Sequence, residues 1–233
     1  MVLTQLKVIA HLHGDFPTKF GLPRQSGLVN DILSRIVFEP EYRDPNAFRG
    51  IEGYSHLWLL WQFSDVPDGS ERPTVRPPRL GGNTRVGVFA TRSPFRPNPV
   101  GLSCVRLVSV TQEPGLGTVL TVSGADLRDG TPIFDIKPYL PYVDSVPDAL
   151  GGFAAEHADE GLRVVLPPEL AEKLPPDKRA PLAGALAQDP RPAYNDDPER
   201  IFGFAYAGYE VRFTVRDGIA TVVAVEQARG ETR

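Results

Sequence analysis

HLWLLWQF, His56 to Phe63, is apolar at both parities of an extended chain. That pattern reads as a central strand buried on both faces, whereas a half-exposed strand would alternate. Working outward, short apolar alternations bounded by Gly and Pro recur through the first 145 residues, which is the pattern of a small barrel or sandwich. Leu6, Val8, Ala10 and Leu12 mark one strand, and Leu33 to Phe38 another. Asp44 and Pro45 read as the N-cap and first position of a short helical turn, because the carboxylate accepts free backbone donors and proline has none to satisfy. Arg85 to Ala90, Leu102 to Val110 and Thr118 to Ser123 alternate as further strands, and Ile133 to Lys137 forms a short one. Six or so strands with few helices favour a barrel. The 24 prolines and 22 glycines, about a fifth of the 233 residues, argue against a helical bundle.

Around Pro147 to Gly161 the chain turns small, polar and rich in Gly and Ala, as a linker does. Pro167 to Gln188 reads as two helical pieces separated by Pro175 and Pro176, and Ile201 to Glu226 as strands. Asp217-Gly218 sits between two apolar runs and signals a two-residue type I′ hairpin turn, which needs positive φ at both positions. The expected architecture is mainly β: a small β-barrel domain over residues 1–147, a linker over 148–161, and a smaller α+β C-terminal domain over 162–233.

The formal charge of −4 conceals an asymmetry. From Arg72 to Gln112 there are seven arginines (72, 76, 79, 85, 92, 96 and 106) and no Asp, Glu or Lys, so this segment carries +7 and the remainder −11. Arginine used to the exclusion of lysine suits forked, planar recognition of phosphate, carboxylate or base edges. The alternative is a proline-rich loop whose arginines pair with acidic groups of the same chain. A single cysteine, Cys104, excludes an intramolecular disulfide and a cysteine-cluster metal site and points to a reducing compartment. The longest apolar run, Leu57 to Trp61, is far short of the ~18 residues of a membrane-spanning helix. The expectation is a soluble cytoplasmic protein with neither membrane nor metal partner. His11 and His13 share a strand face, yet no third ligand is near in sequence.

The dinucleotide fingerprint is missing, since GLGTVL at Gly115 to Leu120 ends in leucine where a third glycine belongs and no helix follows. Two segments are denser in special residues than folding requires. GVFATRSPFRPNPVGLS, Gly87 to Ser103, sets Arg92, Phe95, Arg96 and Asn98 among three prolines between two strands. Prolines stiffen such a loop, so its polar groups are held at low entropic cost. DGTPIFDIKPYLPYVDS, Asp129 to Ser145, opens with a turn and runs into a short strand. Its period of two puts Asp135 and Lys137 on one face and Phe134 and Ile136 on the other. For the Asp135 and Lys137 pair, a structural ion pair at a barrel rim and a catalytic role both remain open.

Together with IEGYSHLWLLWQF, PTVRPPRLGGNTR, PRQSGLV near the start and AQDPRPAY at Ala187 to Tyr194, these strings resemble the TsaA-like, or TrmO, family of S-adenosylmethionine-dependent tRNA methyltransferases over nearly the whole chain. The resemblance implies a catalytic β-barrel domain unrelated to Rossmann methyltransferases, in agreement with the missing fingerprint. It also implies a homodimer that binds S-adenosylmethionine on the barrel near the subunit interface. The implied reaction is methylation of N6 of N6-threonylcarbamoyladenosine beside the anticodon of threonine tRNAs. By position, Pro23, Arg24 and Gln25 correspond to the family's first cofactor segment. Ser64 and Asp65 occupy a second contact point, where some relatives carry histidine and glutamine. Arg92 and Leu102 flank the proline loop as further contacts, and Asp126, Leu127, Arg128, Asp129 and Gly130 resemble the adenosine or ribose end of the pocket. His11 to Asp15 departs from the shorter polar stretch of relatives.

The chemistry adds its own demands. The nitrogen of a carbamoylated adenine is a poor nucleophile until it loses its proton, so a nearby base is expected, and Asp135 with Lys137 is the candidate. Arg96 suits the threonyl carboxylate of such a substrate. Phe95 suits the stacking of a splayed base, and Asn98 lies in the same tRNA-facing loop. The competing reading is a non-catalytic RNA- or nucleotide-binding β-barrel that keeps the fold and the arginine segment without transferring methyl groups.

Overall fold

The computed structural model describes residues 5–77, 80, 84–157, 161–191 and 197–228. Arg79 of the arginine-rich segment and Pro192, Ala193 and Tyr194 of the AQDPRPAY string lie outside them.

The strands are β1 (Ala10–His13), β2 (Leu33–Phe38), β3 (His56–Gln62), β4 (Thr74–Val75), β5 (Val86–Gly87), β6 (Val100–Glu113), β7 (Gly117–Ser123) and β8 (Thr131–Pro138), followed by β9 (Arg163–Val165), β10 (Phe202–Tyr206), β11 (Tyr209–Arg216) and β12 (Ile219–Gln227). The helices are α1 (Pro141–Asp144), α2 (Pro168–Ala171) and α3 (Pro176–Ala187). Six strands close a barrel in the order β1-β2-β7-β6-β3-β8, with every neighbouring pair antiparallel. Closure leaves no open sheet edge along most of its circumference. The central strand β3 pairs on both sides, but it is buried on one face only: Leu57, Leu59 and Trp61 point into a core shared with Leu12, Ile36 and Leu120, whereas Trp58 and Leu60 on the outer face are partly exposed.

Several sequence expectations need adjusting. The first strand begins at Ala10, so Leu6 stays outside it and is 54% exposed. Arg85 to Ala90 is a two-residue strand, Val86–Gly87, that passes into a 3-10 turn over Val88–Ala90. In β8 the register against β3 shifts between Leu60 and Trp61, making Phe134 the extra residue of a bulge. Strict alternation therefore fails: Ile133 and Ile136 both pack on the barrel core, while Asp135 and Lys137 share the outer side. The Asp44 cap forms as expected, its carboxylate accepting the Asn46 N–H at 2.9 Å. Asp217 and Gly218 adopt φ of 51° and 72°, as the I′ turn between β11 and β12 requires.

The C-terminal sheet, ordered β10-β11-β12-β9, carries α3 against a second core. That core also takes in Phe16, Val29 and Ile32 from the segment joining β1 to β2. The barrel and the C-terminal domain are therefore welded through this segment, a contact between residues too distant in sequence for local patterns to show. Residues 148–161, expected to be a linker, contain a 3-10 turn over Gly152–His157.

Gly101 on β6 faces the Trp61 ring so closely that a Cβ there would lie 2.2 Å from a ring carbon. Gly101→Ala is expected to displace the indole and cost about 1–3 kcal/mol. Urea denaturation monitored by tryptophan fluorescence reads this directly, and an unchanged midpoint would contradict the packing.

Candidate active site

β7 stops at Ser123, opposite Arg106, so the first half of β6 lacks a strand partner on that side. Its free backbone groups need partners. The segment around Ser26 supplies one: Ser26 Oγ accepts the Cys104 N–H at 3.1 Å. Gly27 N–H donates to the Gly124 carbonyl at 2.9 Å. Gly124 turns the chain here with φ of 78°, a left-handed conformation that favours glycine. Two loops distant in sequence are thus brought to one end of the barrel.

Most of the residues expected to hold a cofactor meet there. Arg92 donates from Nη1 to Gln25 Oε1, and Gln25 Nε2 donates to the Arg24 carbonyl at 2.6 Å. Asp126 accepts from Ser103 Oγ at 2.6 Å, and Ser103 in turn accepts from Trp61 Nε1 at 2.9 Å. Burial raises the Asp126 carboxyl above its ordinary range, opposed by the hydrogen bonds from Ser103 and backbone N–H groups and by the Arg92 charge. On the neighbouring rim Arg128 donates to Ser64 Oγ at 3.0 Å and pairs with Asp65 at 2.8 Å. Asp129 Oδ1 accepts the Gly14 N–H at 3.2 Å and lies 3.2 Å from His13 Nδ1. Gly130, at φ 75°, donates its N–H to the Leu12 carbonyl. Pro23 is buried beneath the segment, and Leu127 lies inside the barrel core at 3% exposure.

Leu102 is on the outer face of β6, half-exposed, and the registers place Leu102, Leu60 and Asp135 in one row across β6, β3 and β8. Asp135 Oδ2 lies 2.7 Å from Lys137 Nζ, and Oδ1 accepts the Ile136 N–H at 2.9 Å. Both side chains are substantially exposed, at 45% and 62%. An exposed pair of this kind is worth at most about 1 kcal/mol, so it braces little. In the next row are Cys104, Trp58 and Lys137, and Trp58 Nε1 reaches Asp144 of α1 at 3.1 Å. Burial and the nearby Asp144 charge push the Cys104 thiol up, away from the reactive thiolate.

The proline loop folds on itself. Arg96 Nη1 donates to the Thr91 carbonyl, and the Phe95 carbonyl accepts the Arg72 N–H at 3.1 Å. Phe95 is 42% exposed and Asn98 is exposed. Among the described residues no arginine between Arg72 and Arg106 lies within the 4.0 Å of a carboxylate that defines an ion pair; Arg35, Arg128, Arg191, Arg212 and Arg216 make such pairs instead. Contact ion pairs therefore do not account for the described arginines, and among them Arg92 acts on the Asp126 carboxylate from beyond ion-pair distance. Sequence reading missed Ser26, Ser103 and Trp61 as parts of the site. Ser103 was legible only as a polar residue at an inward strand position.

Among the described residues no group of three His, Cys, Asp or Glu side chains is placed to hold a metal ion. His11 and His13 face Glu39 and Asp129 separately. No helix among the described residues is long and apolar enough to cross a membrane.

A closed antiparallel barrel that gathers polar side chains of three segments at one end, beside an arginine-bearing proline loop, is a β-barrel protein distinct from the Rossmann folds. The chain belongs to the tRNA-methyltransferase O family: the family's N-terminal domain matches residues 11–145 and its C-terminal domain residues 161–228. It is 42% identical over 232 residues to a tRNA (adenine(37)-N6)-methyltransferase of Escherichia coli, covering 95% of this chain and 97% of that protein. It is 40% identical over 204 residues to a Pseudomonas aeruginosa protein named as a putative S-adenosylmethionine-dependent methyltransferase, RcsF, covering 84% and 85% of the two chains. A crystal structure of TrmO from P. aeruginosa matches with a TM-score of 0.79 at 31% identity, over 98% of this chain and 99% of that one. The protein is a methyltransferase, which sets aside the non-catalytic reading.

The raised Asp126 carboxyl has a consequence for stability. The native state holds this proton more tightly than the unfolded chain, whose carboxyl titrates near pH ~3.9, so its contribution to stability is present at low pH and lost as pH rises through the raised value. Asp126→Asn is expected to abolish that pH dependence, so that its stability relative to wild type is greater at pH 7 than at pH 4. Denaturant titrations at several pH values check this. A variant less stable at pH 7 than at pH 4, relative to wild type, would contradict it.

Proposed function

We propose that this methyltransferase transfers the methyl group of S-adenosylmethionine to N6 of N6-threonylcarbamoyladenosine beside the anticodon of threonine tRNA, acting as a cytoplasmic homodimer. The observation that carries the reading is the arginine segment beside the polar barrel end, whose described guanidinium groups form no contact ion pair with a carboxylate, Arg92 acting on Asp126 from longer range, and so suit a polyanion.

The donor set of the barrel end fits S-adenosylmethionine. Asp126, Asp129 and Asp65 are carboxylates suited to a ribose diol or an ammonium group, and Gln25 with Arg92 presents donors suited to a carboxylate. Half-exposed Leu102 offers apolar surface for a base. When bound, S-adenosylmethionine supplies an electrophilic methyl group on a sulfonium. The chain's own work is to hold donor and acceptor in line, a positional effect worth up to ~7–11 kcal/mol, and to take the N6 proton. Asp135 is the proposed base: Lys137 fixes Oδ2, and Oδ1 accepts only a local backbone N–H. Arg96 reads the threonyl carboxylate and Phe95 stacks a splayed base, with Asn98 beside them in the loop. Exposed apolar residues of the α1 region, Tyr142, Val143, Val146 and Leu150, adjoin the outer face of β3 through the Trp58–Asp144 bond and support a subunit contact there.

Single-turnover methylation of threonine tRNA, with nucleosides identified by mass spectrometry, tests the reading. The threonylcarbamoylated tRNA is expected to react well and the unmodified transcript poorly. Asp135→Asn is expected to slow the step by ~10²–10⁴ with little change in thermal midpoint, since its exposed ion pair stabilises little. Arg96→Ala is expected to weaken tRNA binding and narrow the preference for the modified substrate. Equal rates on both tRNAs, or a normal rate in Asp135→Asn, would overturn these roles.

A further inference from the structure

The joining segment between β1 and β2 faces two ways. Its polar residues Arg24, Gln25 and Ser26 border the barrel-end site, whereas Phe16, Val29 and Ile32 are buried in the C-terminal core. α3 meets it closely, for a Cβ on Gly184 would lie 2.5 Å from Val29 Cγ1. Just beyond α3 the chain turns at Asp189, which has φ of 47°, a left-handed conformation unfavourable for a residue with a side chain. Its carboxylate grips Arg191 through both oxygens, at 2.8 and 2.9 Å. Its carbonyl accepts Arg24 Nη2 at 2.7 Å. Arg24 leads directly to Gln25, whose side chain donates back to the Arg24 carbonyl and accepts from Arg92, the charge that faces Asp126.

We propose that Asp189 is a positioning residue for the methyl-donor site: its left-handed turn aims a backbone carbonyl of the C-terminal domain at Arg24 and so fixes the Arg24 to Ser26 segment. The inference rests on the proposed placement of S-adenosylmethionine against that segment. A helix stop alone would explain the left-handed residue after α3 and the proline that follows, but it would not aim the carbonyl at Arg24. The turn thus gives the C-terminal domain a part in cofactor affinity while it touches no reacting atom.

The test uses the full chain, with S-adenosylmethionine binding by calorimetry and steady-state kinetics on threonylcarbamoylated tRNA. Asp189→Val cannot hold φ near 47° without strain, whereas Asp189→Asn can. In Asp189→Val, Kd and KM for S-adenosylmethionine are expected to rise about tenfold, with kcat at saturating donor and KM for tRNA unchanged. Asp189→Asn is expected to stay within about threefold of wild type. If both ends act through one hydrogen bond, Arg24→Gln combined with Asp189→Val should bind no more weakly than Arg24→Gln alone. Unchanged Kd in Asp189→Val with only a lowered thermal midpoint would reduce the turn to a helix stop and overturn the proposal. Equal losses in Asp189→Asn and Asp189→Val, or additive losses in the double variant, would overturn it too. Absence of binding by the wild-type protein would instead overturn the cofactor placement itself.

Discussion

The unpaired half of β6 is the constraint on which the rest of the molecule turns. A barrel strand whose neighbour stops at Ser123 leaves backbone donors that must be satisfied. Here they draw in a loop rather than another strand, and Ser26 takes the Cys104 N–H. That one bond carries Arg24 and Gln25 to the barrel end, where the 124–130 loop arrives from the other side. The gap in the sheet and the candidate site thus coincide. A fully paired β6 would be more regular and would leave no room for polar side chains at that end.

Inside the barrel the same economy holds. Trp61 fills the core beside Gly101, yet its indole N–H reaches Ser103, which passes a hydrogen bond to Asp126. A buried carboxylate without such donors would be costly, and even with them its desolvation is not fully offset. The protein bears that desolvation cost and keeps an oriented acceptor at the end of the barrel. Arg92 supplies the opposing charge from the stiff proline loop, so the site depends on the loop's fixed shape as well as on the barrel.

The barrel was legible because β3 is hydrophobic on both faces and because turns punctuate the remaining strands, signals local enough to survive in sequence. The Asp217-Gly218 turn and the two helical pieces around Pro175 and Pro176 were legible for the same reason. What did not show was anything requiring two distant segments to meet. The bulge at Phe134 depends on how β8 registers against β3, and local alternation is blind to it. The placement of Phe16, Val29 and Ile32 in the C-terminal core depends on tertiary contact across more than a hundred residues. The candidate site residues follow from motif resemblance, and residue chemistry alone leaves Asp135 and Lys137 open between brace and catalyst. Their exposure leaves the bracing role little to contribute.

Hydrogen exchange of the protein with and without S-adenosylhomocysteine, the demethylated product, tests the central claim most directly. New protection is expected in residues 24–27, 100–104 and 124–130, the three segments that meet at the unpaired half of β6. The outer strands β10 to β12 should stay unchanged. Protection confined to the C-terminal sheet, or absent from residues 24–27, would contradict it.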